Sequence, residues 1–254
     1  MISSKLNNGL NGKPVIPGDK SISHRSIIIS SISNGKTIIK NLLKSEDVLY
    51  TLKAFKEMGV LIKENDLEVT VYGNGLNSLT KPNKDLYLGN SGTSARLLTG
   101  LLASQKFSTT LTGDKSLSSR PMKRISDPLK KMNAEIITTN GSMPLKVTGT
   151  RLKNADIEID IPSAQIKSGL ILAALNTEGT TKITENNITR DHTEIMLSSF
   201  GAKINIKQEN TKKIIEIIGK HELTSKNIEI PSDLSSSAFF IVAALINRNS
   251  HLLL

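Results

Sequence analysis

The chain has 254 residues, with 33 Lys plus Arg against 23 Asp plus Glu, a formal charge of +10, 37% hydrophobic and 3% aromatic residues, and neither Cys nor Trp. The absence of cysteine excludes a disulfide scaffold, a thiolate metal site and a cysteine nucleophile, and the length supports a core that needs no covalent staple. No run of eighteen apolar residues occurs, and Met1-Ile-Ser-Ser-Lys-Leu-Asn-Asn8 carries neither an apolar stretch nor arginine, so a soluble cytoplasmic protein is expected rather than a membrane-spanning or exported one. Five Phe, three Tyr and no Lys/Arg block longer than two are a poor stacking surface for single-stranded nucleic acid. Small anions, and neither nucleic acid nor membrane, are the expected partners of the positive charge.

In chain order, Ser21–Ser33 reads as a helix with Ile22, Ile29 and Ile32 near one face, and Lys36–Lys40 as a β-branched strand. Ser45 is placed to cap the next helix, with Glu46 and Asp47 in its first turn and Lys53 and Lys56 toward its end, and Gly59 stops it. Val60–Lys63 and Leu67–Tyr72 pair as strands around Asn65-Asp66. The same order returns as helix Thr93–Leu102, strand Phe107–Thr112, helix Pro121–Met132, and strands Glu135–Thr139 and Leu145–Thr148. Asp127-Pro128 is expected to start a second helical piece there. A third round gives helix Ala164–Leu175, strand Thr180–Thr184, helix Asp191–Phe200, and strands Lys203–Lys207 and Lys213–Ile218. Strand Ile228–Ile230 and helix Leu234–Ile246 open a fourth. That helix is apolar almost all round and is expected to be buried.

The recurrence is regular. Val15-Ile-Pro-Gly-Asp-Lys-Ser21, Leu86-Tyr-Leu-Gly-Asn-Ser-Gly-Thr93, Ile159-Asp-Ile-Pro-Ser-Ala-Gln165 and Glu229-Ile-Pro-Ser-Asp233 each read as a short strand entering a helix, at steps of 72, 73 and 69 residues from Pro17 to Gly89, Pro162 and Pro231. Met58, Met132 and Phe200 recur at steps of 74 and 68, and Gly73, Gly149 and Gly219 at 76 and 70. Three full repeats and the start of a fourth are expected, with either helices or sheets innermost.

The turns that open the first helix of each repeat carry the chemistry. Lys20 and Ser21, then Asn90 and Gly92, then Ser163, Ala164 and Gln165 sit where backbone N–H groups and the helix dipole favour an anion. Arg25, Arg96 and Lys167 each follow four residues after one of these turns, adding charge-assisted hydrogen bonds. Taken singly, each turn reads as a plain cap, Asp114-Lys115 as a simple turn, and His24 and His192 as helix-surface residues. The functional reading rests on basic, N–H-rich turns at matching repeat positions, which together suit a substrate with several anionic groups.

Pro17-Gly-Asp-Lys-Ser-Ile-Ser-His-Arg25, Gly89-Asn-Ser-Gly-Thr-Ser-Ala-Arg96, Leu111-Thr-Gly-Asp114 with Arg120-Pro-Met122, Ser163-Ala-Gln165 and Thr189-Arg-Asp-His-Thr-Glu194 together resemble the 5-enolpyruvylshikimate-3-phosphate synthase (3-phosphoshikimate 1-carboxyvinyltransferase) family, from about Val15 onward. The resemblance implies an α+β fold, an inside-out α/β barrel or prism of βαβαββ units, three per domain. It implies transfer of the enolpyruvyl group of phosphoenolpyruvate to the 5-hydroxyl of shikimate 3-phosphate in the shikimate pathway of aromatic amino acid biosynthesis, with no metal or organic cofactor and a monomer when complete. By matched position, Lys20 is catalytic and touches both substrates. Ser21, Arg25, Ser163, Ala164, Gln165 and Arg190 bind shikimate 3-phosphate, Arg25 through the carboxylate and Arg190 through the phosphate. Asn90, Gly92, Arg120 and Gln165 hold phosphoenolpyruvate, and glycine at 92 implies glyphosate sensitivity in a complete enzyme. Residues 20–228 are expected to form the substrate-binding domain, with repeats 20–80, 85–150 and 156–220. Residues 1–19 and 229–254 are expected to be strips of a second, mostly missing domain that holds the acidic proton acceptor, so that the chain by itself binds shikimate 3-phosphate weakly with little or no turnover. The related transferase acting on a UDP-amino sugar is disfavoured by the missing cysteine, and a nucleic-acid end-processing enzyme of similar fold by the lack of a nucleophilic histidine in a nucleotide site. A non-catalytic binder of phosphorylated ligands is separated from the enzyme by turnover.

Overall fold

The computed structural model describes residues 9–254, so the first eight residues of the expected 1–19 strip lie outside the described residues. After strand β1 (Asn11–Gly12), the first unit comprises α1 (Lys20–Ser31), β2 (Asn34–Lys40), α2 (Glu46–Glu57), β3 (Leu61–Glu64) and β4 (Glu68–Asn74). The second comprises β5 (Leu86–Tyr87), α3 (Gly92–Leu102), β6 (Ser108–Thr112), α4 (Lys115–Ser118), α5 (Lys123–Lys130), β7 (Glu135–Thr139) and β8 (Ser142–Thr148). The third comprises β9 (Asp156–Ile159), α6 (Ala164–Ala174), β10 (Thr180–Glu185), α7 (His192–Ser199), β11 (Lys203–Glu209) and β12 (Lys212–Ile218). Strand β13 (Ile228–Glu229), helix α8 (Leu234–Ile246) and strand β14 (His251–Leu252) follow.

Each unit owns a four-stranded sheet of one design, in the orders β13-β2-β4-β3, β5-β6-β8-β7 and β9-β10-β12-β11. The first pair in each is parallel and the other two are antiparallel. A parallel pair needs a crossover, and the inner helices α3 and α6 supply it in the second and third units. The first unit differs from expectation. Val15–Pro17 forms no strand: Val15 is exposed, and proline has no N–H to give a ladder. Its place is taken by β13, where Ile228 pairs with Ile39 and Glu229 with Lys40. The strand expected to open a fourth unit therefore closes the first, and the 228/229 boundary falls inside it.

Helices are innermost. Every residue from Ser23 to Ser31 of α1, and from Ile166 to Ala174 of α6, is buried. Such a helix needs small and aliphatic side chains on all sides. Most of its hydroxyls are satisfied internally: Ser26 donates to the Ile22 carbonyl (2.9 Å), Ser31 to Ile27 (2.7 Å), Thr99 to Ala95 (2.6 Å) and Ser168 to Ala164 (2.5 Å), whereas the buried Ser30 hydroxyl has no protein partner. Helices α3 and α6 touch through glycine, since a Cβ on Gly100 would stand 1.9 Å from the Gly169 carbonyl oxygen. The sheets lie outside and turn alternate residues inward, such as Met143, Leu145 and Val147 of β8 and Ile215 and Ile217 of β12.

Three local expectations are corrected. Helix α5 runs through Pro128 as one piece. The hydrogen bond that proline forgoes would have gone to Arg124, an exposed residue whose carbonyl water can serve. Ser45 stands at the cap of α2, but its side chain makes no capping bond. Helix α8 is not buried: only Ser237 is, while Phe239 and Leu245 are each 80% exposed. It docks by its end, where Asp233 N–H donates to the Pro17 carbonyl (2.8 Å), and β14 pairs in parallel with β1. No helix among the described residues is long and apolar enough to cross a membrane.

The glycine contact yields a stability prediction. Gly100→Ala is expected to force α3 and α6 apart and to destabilise the fold by about 3 kcal/mol, read as a lowered urea midpoint. A midpoint within experimental error of wild type would show that the helices do not cross here.

Candidate functional site

A helix buried on all sides meets solvent at its ends, and here the first turns of α1, α3 and α6 are joined by side-chain hydrogen bonds. Asp19 caps α1, Ser91 caps α3 and Ser163 caps α6, accepting from the N–H groups of Ile22, Ser94 and Ile166 respectively. Between α3 and α6, Gln165 Oε1 accepts from Arg96 Nη1 (2.8 Å) while its Nε2 donates to Thr93 Oγ1 (2.9 Å). Between α1, α6 and α7, Arg25 donates to Thr193 Oγ1 (2.6 Å), Ser168 Oγ (2.8 Å) and the Ser21 carbonyl (2.9 Å). Between α1, α2 and α3, His24 Nδ1 lies 2.7 Å from Thr51 Oγ1, which lies 2.5 Å from Ser94 Oγ, itself 2.6 Å from Ser91 Oγ.

Most of the expected site residues fall on this network. Lys20, half exposed at the start of α1, pairs with Asp47 of α2. Arg120, just beyond α4, donates to the Asn90 side-chain oxygen. Gly92 allows two guanidiniums to close on the first turn of α3: a Cβ there would lie 2.8 Å from both Arg120 Nη1 and Arg96 Nη1. Ala164 opens α6 with its N–H in the unpaired first turn. Arg190 is exposed just ahead of α7, near enough to Arg25 for its charge to be felt there. Ser163 uses its hydroxyl as the cap. Asp114-Lys115 is not a simple turn but a helix start: Asp114 caps α4 by accepting from Leu117 N–H (2.7 Å).

The electrostatics favour anions. Burial pushes the Arg25 guanidinium down to about 10; Glu194 opposes this and Arg190 adds to it. Arg96 is also lowered, first by burial and then by Arg120 and Arg124. Among the described residues no carboxylate lies within ion-pairing distance of Arg25, Arg96, Arg120 or Arg190. Their mutual repulsion is relieved when a bound anion supplies the missing charge. No cluster of three or more His, Asp or Glu with metal-site geometry occurs among the described residues. A cavity of about 330 Å³ between α5 and the β9–α6 loop is lined by Arg124 and Ile166 among others, but it includes none of the expected site residues.

Two expectations are overturned. His24 is not a surface residue but fully buried, and it ties three helices together. Lys167 is no third basic ligand: it is fully buried and paired with Glu185 and Glu194. Counted from the caps Asp19, Ser91 and Ser163, Arg25 is sixth, Arg96 fifth and Lys167 fourth. Each step rotates a side chain by about 100°, so the three basic residues leave their helices in different directions. The spacing of Arg96 after Gly92 is the signal in the sequence for its place beside Gln165. Thr193 and Ser168, which hold Arg25, carried no local signal, because their partner is 168 and 143 residues away.

A family model for EPSP synthase (3-phosphoshikimate 1-carboxyvinyltransferase) matches residues 5–253. Curated relatives bearing the name 3-phosphoshikimate 1-carboxyvinyltransferase include one from Streptococcus agalactiae serotype Ia, 50% identical over 250 residues, a match that covers 97% of this chain and 58% of the relative. Another, from Ruthia magnifica subsp. Calyptogena magnifica, is 52% identical over 243 residues, covering 95% of this chain and 55% of the relative. The solved structure of EPSP synthase from Acinetobacter baumannii is similar with a TM-score of 0.90 at 47% identity, covering 97% of this chain and 55% of that one. The chain thus spans somewhat over half the length of the proteins it matches.

Burial holds His24 neutral, lowering it from 6.5 to about 3, with Lys20 adding to the effect. The unfolded imidazole takes up a proton below pH 6.5 while the folded one does not. The stabilisation is therefore complete above pH 6.5 and is lost as the pH falls toward 3, at up to about 1.4 kcal/mol per pH unit. His24→Gln should flatten this slope between pH 6.5 and 4.5 in urea titrations. Equal slopes in the two proteins would remove His24 as its cause.

Proposed function

The chain belongs to the EPSP synthase family, and on that premise we propose that it carries the shikimate 3-phosphate site, and part of the phosphoenolpyruvate site, of an enolpyruvyl transferase. The reaction moves the enolpyruvyl group of phosphoenolpyruvate to the 5-hydroxyl of shikimate 3-phosphate and releases phosphate. The observation that carries this reading is the set of four guanidiniums, Arg25, Arg96, Arg120 and Arg190, gathered at linked helix starts without carboxylate partners. Both substrates are polyanions. In this assignment residues 20–228 form the substrate-binding domain, and residues 9–19 and 229–254, joined through β1 and β14, belong to a second.

Arg25 takes the shikimate carboxylate, and Ser21 a hydroxyl or carboxylate oxygen beside it. Ser163, the Ala164 N–H and Arg190 take the phosphate, where the α6 dipole assists. Asn90, the Gly92 N–H and Arg120 take phosphoenolpyruvate, with Gln165 between the two substrates. Protonation of the phosphoenolpyruvate methylene gives C2 cationic character and the 5-hydroxyl oxygen attacks it. The hydroxyl proton leaves, the C–O bond to phosphate breaks, and a proton lost from the new methyl restores the double bond. Lys20, which pairs with Asp47, is assigned the movement of protons and the balancing of charge at the reacting centre. Charge arranged in advance lowers both barriers.

Binding tests the assignment directly. Calorimetric titration with shikimate 3-phosphate should show saturable binding by the wild-type chain and at least about tenfold weaker binding by Arg25→Ala, as expected for a lost charge-assisted pair. Equal affinities would remove Arg25 from the site. For Gly92→Ala, crowding of Arg96 and Arg120 should weaken phosphoenolpyruvate binding about fivefold or more, with shikimate 3-phosphate affinity nearly unchanged. Parallel loss of both ligands would count against the division of the site.

A further inference from the structure

Around the β10–α7 connection that carries Arg190 lies a group of buried charges that no proposed substrate contact uses. Lys167 of α6 and Glu194 of α7 are 0% exposed, Glu185 at the end of β10 is 1% exposed and Lys213 of β12 is 5% exposed. Lys167 Nζ lies 2.5 Å from Glu185 Oε2 and 2.8 Å from Glu194 Oε1. Lys213 Nζ lies 3.6 Å from both Glu194 Oε1 and Asp191 Oδ2. The other Glu185 oxygen accepts from Thr189 N–H (2.6 Å), and Lys167 Nζ donates to the Thr189 carbonyl (3.4 Å).

These contacts grip the β10–α7 connection at both its ends. Glu185 begins it, Thr189 immediately precedes Arg190, and Asp191 and Glu194 fix the first turn of α7, whose Thr193 accepts from Arg25. Burying four ionised groups costs several kcal/mol per ion before pairing returns it, and an apolar set of like volume commonly serves stability as well or better. The first two units have no such cluster among the described residues: their inner helices bury no lysine, and the Lys20–Asp47 pair is partly exposed. Stability is therefore a weak account of the cluster, whereas its contacts with Thr189, next to Arg190, and with α7, which holds Arg25, give it a positioning role.

We propose that Lys167, Glu185, Glu194 and Lys213 are positioning residues that set the distance between the Arg190 and Arg25 guanidiniums, and so select a ligand whose carboxylate and phosphate are spaced as in shikimate 3-phosphate. The proposal rests on the substrate reading given above. It requires energetic coupling: Arg190 contributes to phosphate binding only while the cluster holds it.

A double-mutant cycle tests this by calorimetry with shikimate 3-phosphate. Lys167→Met/Glu185→Gln removes one positive and one negative charge together, keeps volume, and retains an acceptor for Thr189 N–H. It should weaken binding about tenfold while the amide NMR spectrum stays dispersed, and adding Arg190→Ala should cost nothing more. Glu194→Gln, which leaves Lys167 paired with Glu185, provides a second background in which the same non-additivity is expected, and it serves if the double variant fails to fold. Full additivity with Arg190→Ala, or affinity within twofold of wild type in a folded variant, overturns the positioning role alone. A wild-type chain that gives no binding heat at all instead overturns the substrate reading beneath it.

Discussion

A helix enclosed on every side reaches water only at its ends, and much of this molecule follows from that constraint on α1, α3 and α6. Their lateral faces take small and aliphatic residues, with hydroxyls turned back onto their own carbonyls. The sheets, each with one wettable face, are left for the outside. Gly100 and Gly169 bring α3 and α6 to backbone contact, so their first turns stand side by side. The hydrogen-bond network that links these helices collects at those first turns.

What collects there is positive and only neutrally satisfied. Arg25 leans on hydroxyls and a carbonyl, Arg96 on an amide and a carbonyl, and Arg120 on an amide. The carboxylates that do enter the region are already occupied: Asp47 by Lys20, Glu185 and Glu194 by Lys167. The result is a surface with fixed donors and unmet charge, suited to a ligand bearing more than one anionic group.

The three repeats share a sheet plan but not a chemistry. Basic residues at four-residue spacing look equivalent along the chain, yet they sit sixth, fifth and fourth from their caps. One residue of helical phase per repeat, about 100°, sends Arg25 into a nest of hydroxyls, Arg96 toward Gln165 and Lys167 into the interior. The first unit borrows its edge strand from residues 228–229, which ties the first repeat to the segment after the third and places the exposed α8 immediately beyond.

The repeat period, most of the order of helices and strands, and the helix starts at Lys20, Gly92 and Ala164 were determined by the sequence itself. These depend on local patterning, capping and glycine placement, which neighbours in the chain already express. The arrangement of helices inside and sheets outside, the borrowed strand β13, the burial of His24 and the exposure of α8 were decided only by tertiary structure. So were the anchors Ser168 and Thr193 and the burial of Lys167 against two glutamates. Each of these joins residues far apart in the chain, and side-chain direction around a packed helix turns on phase differences of a single residue that no local pattern records.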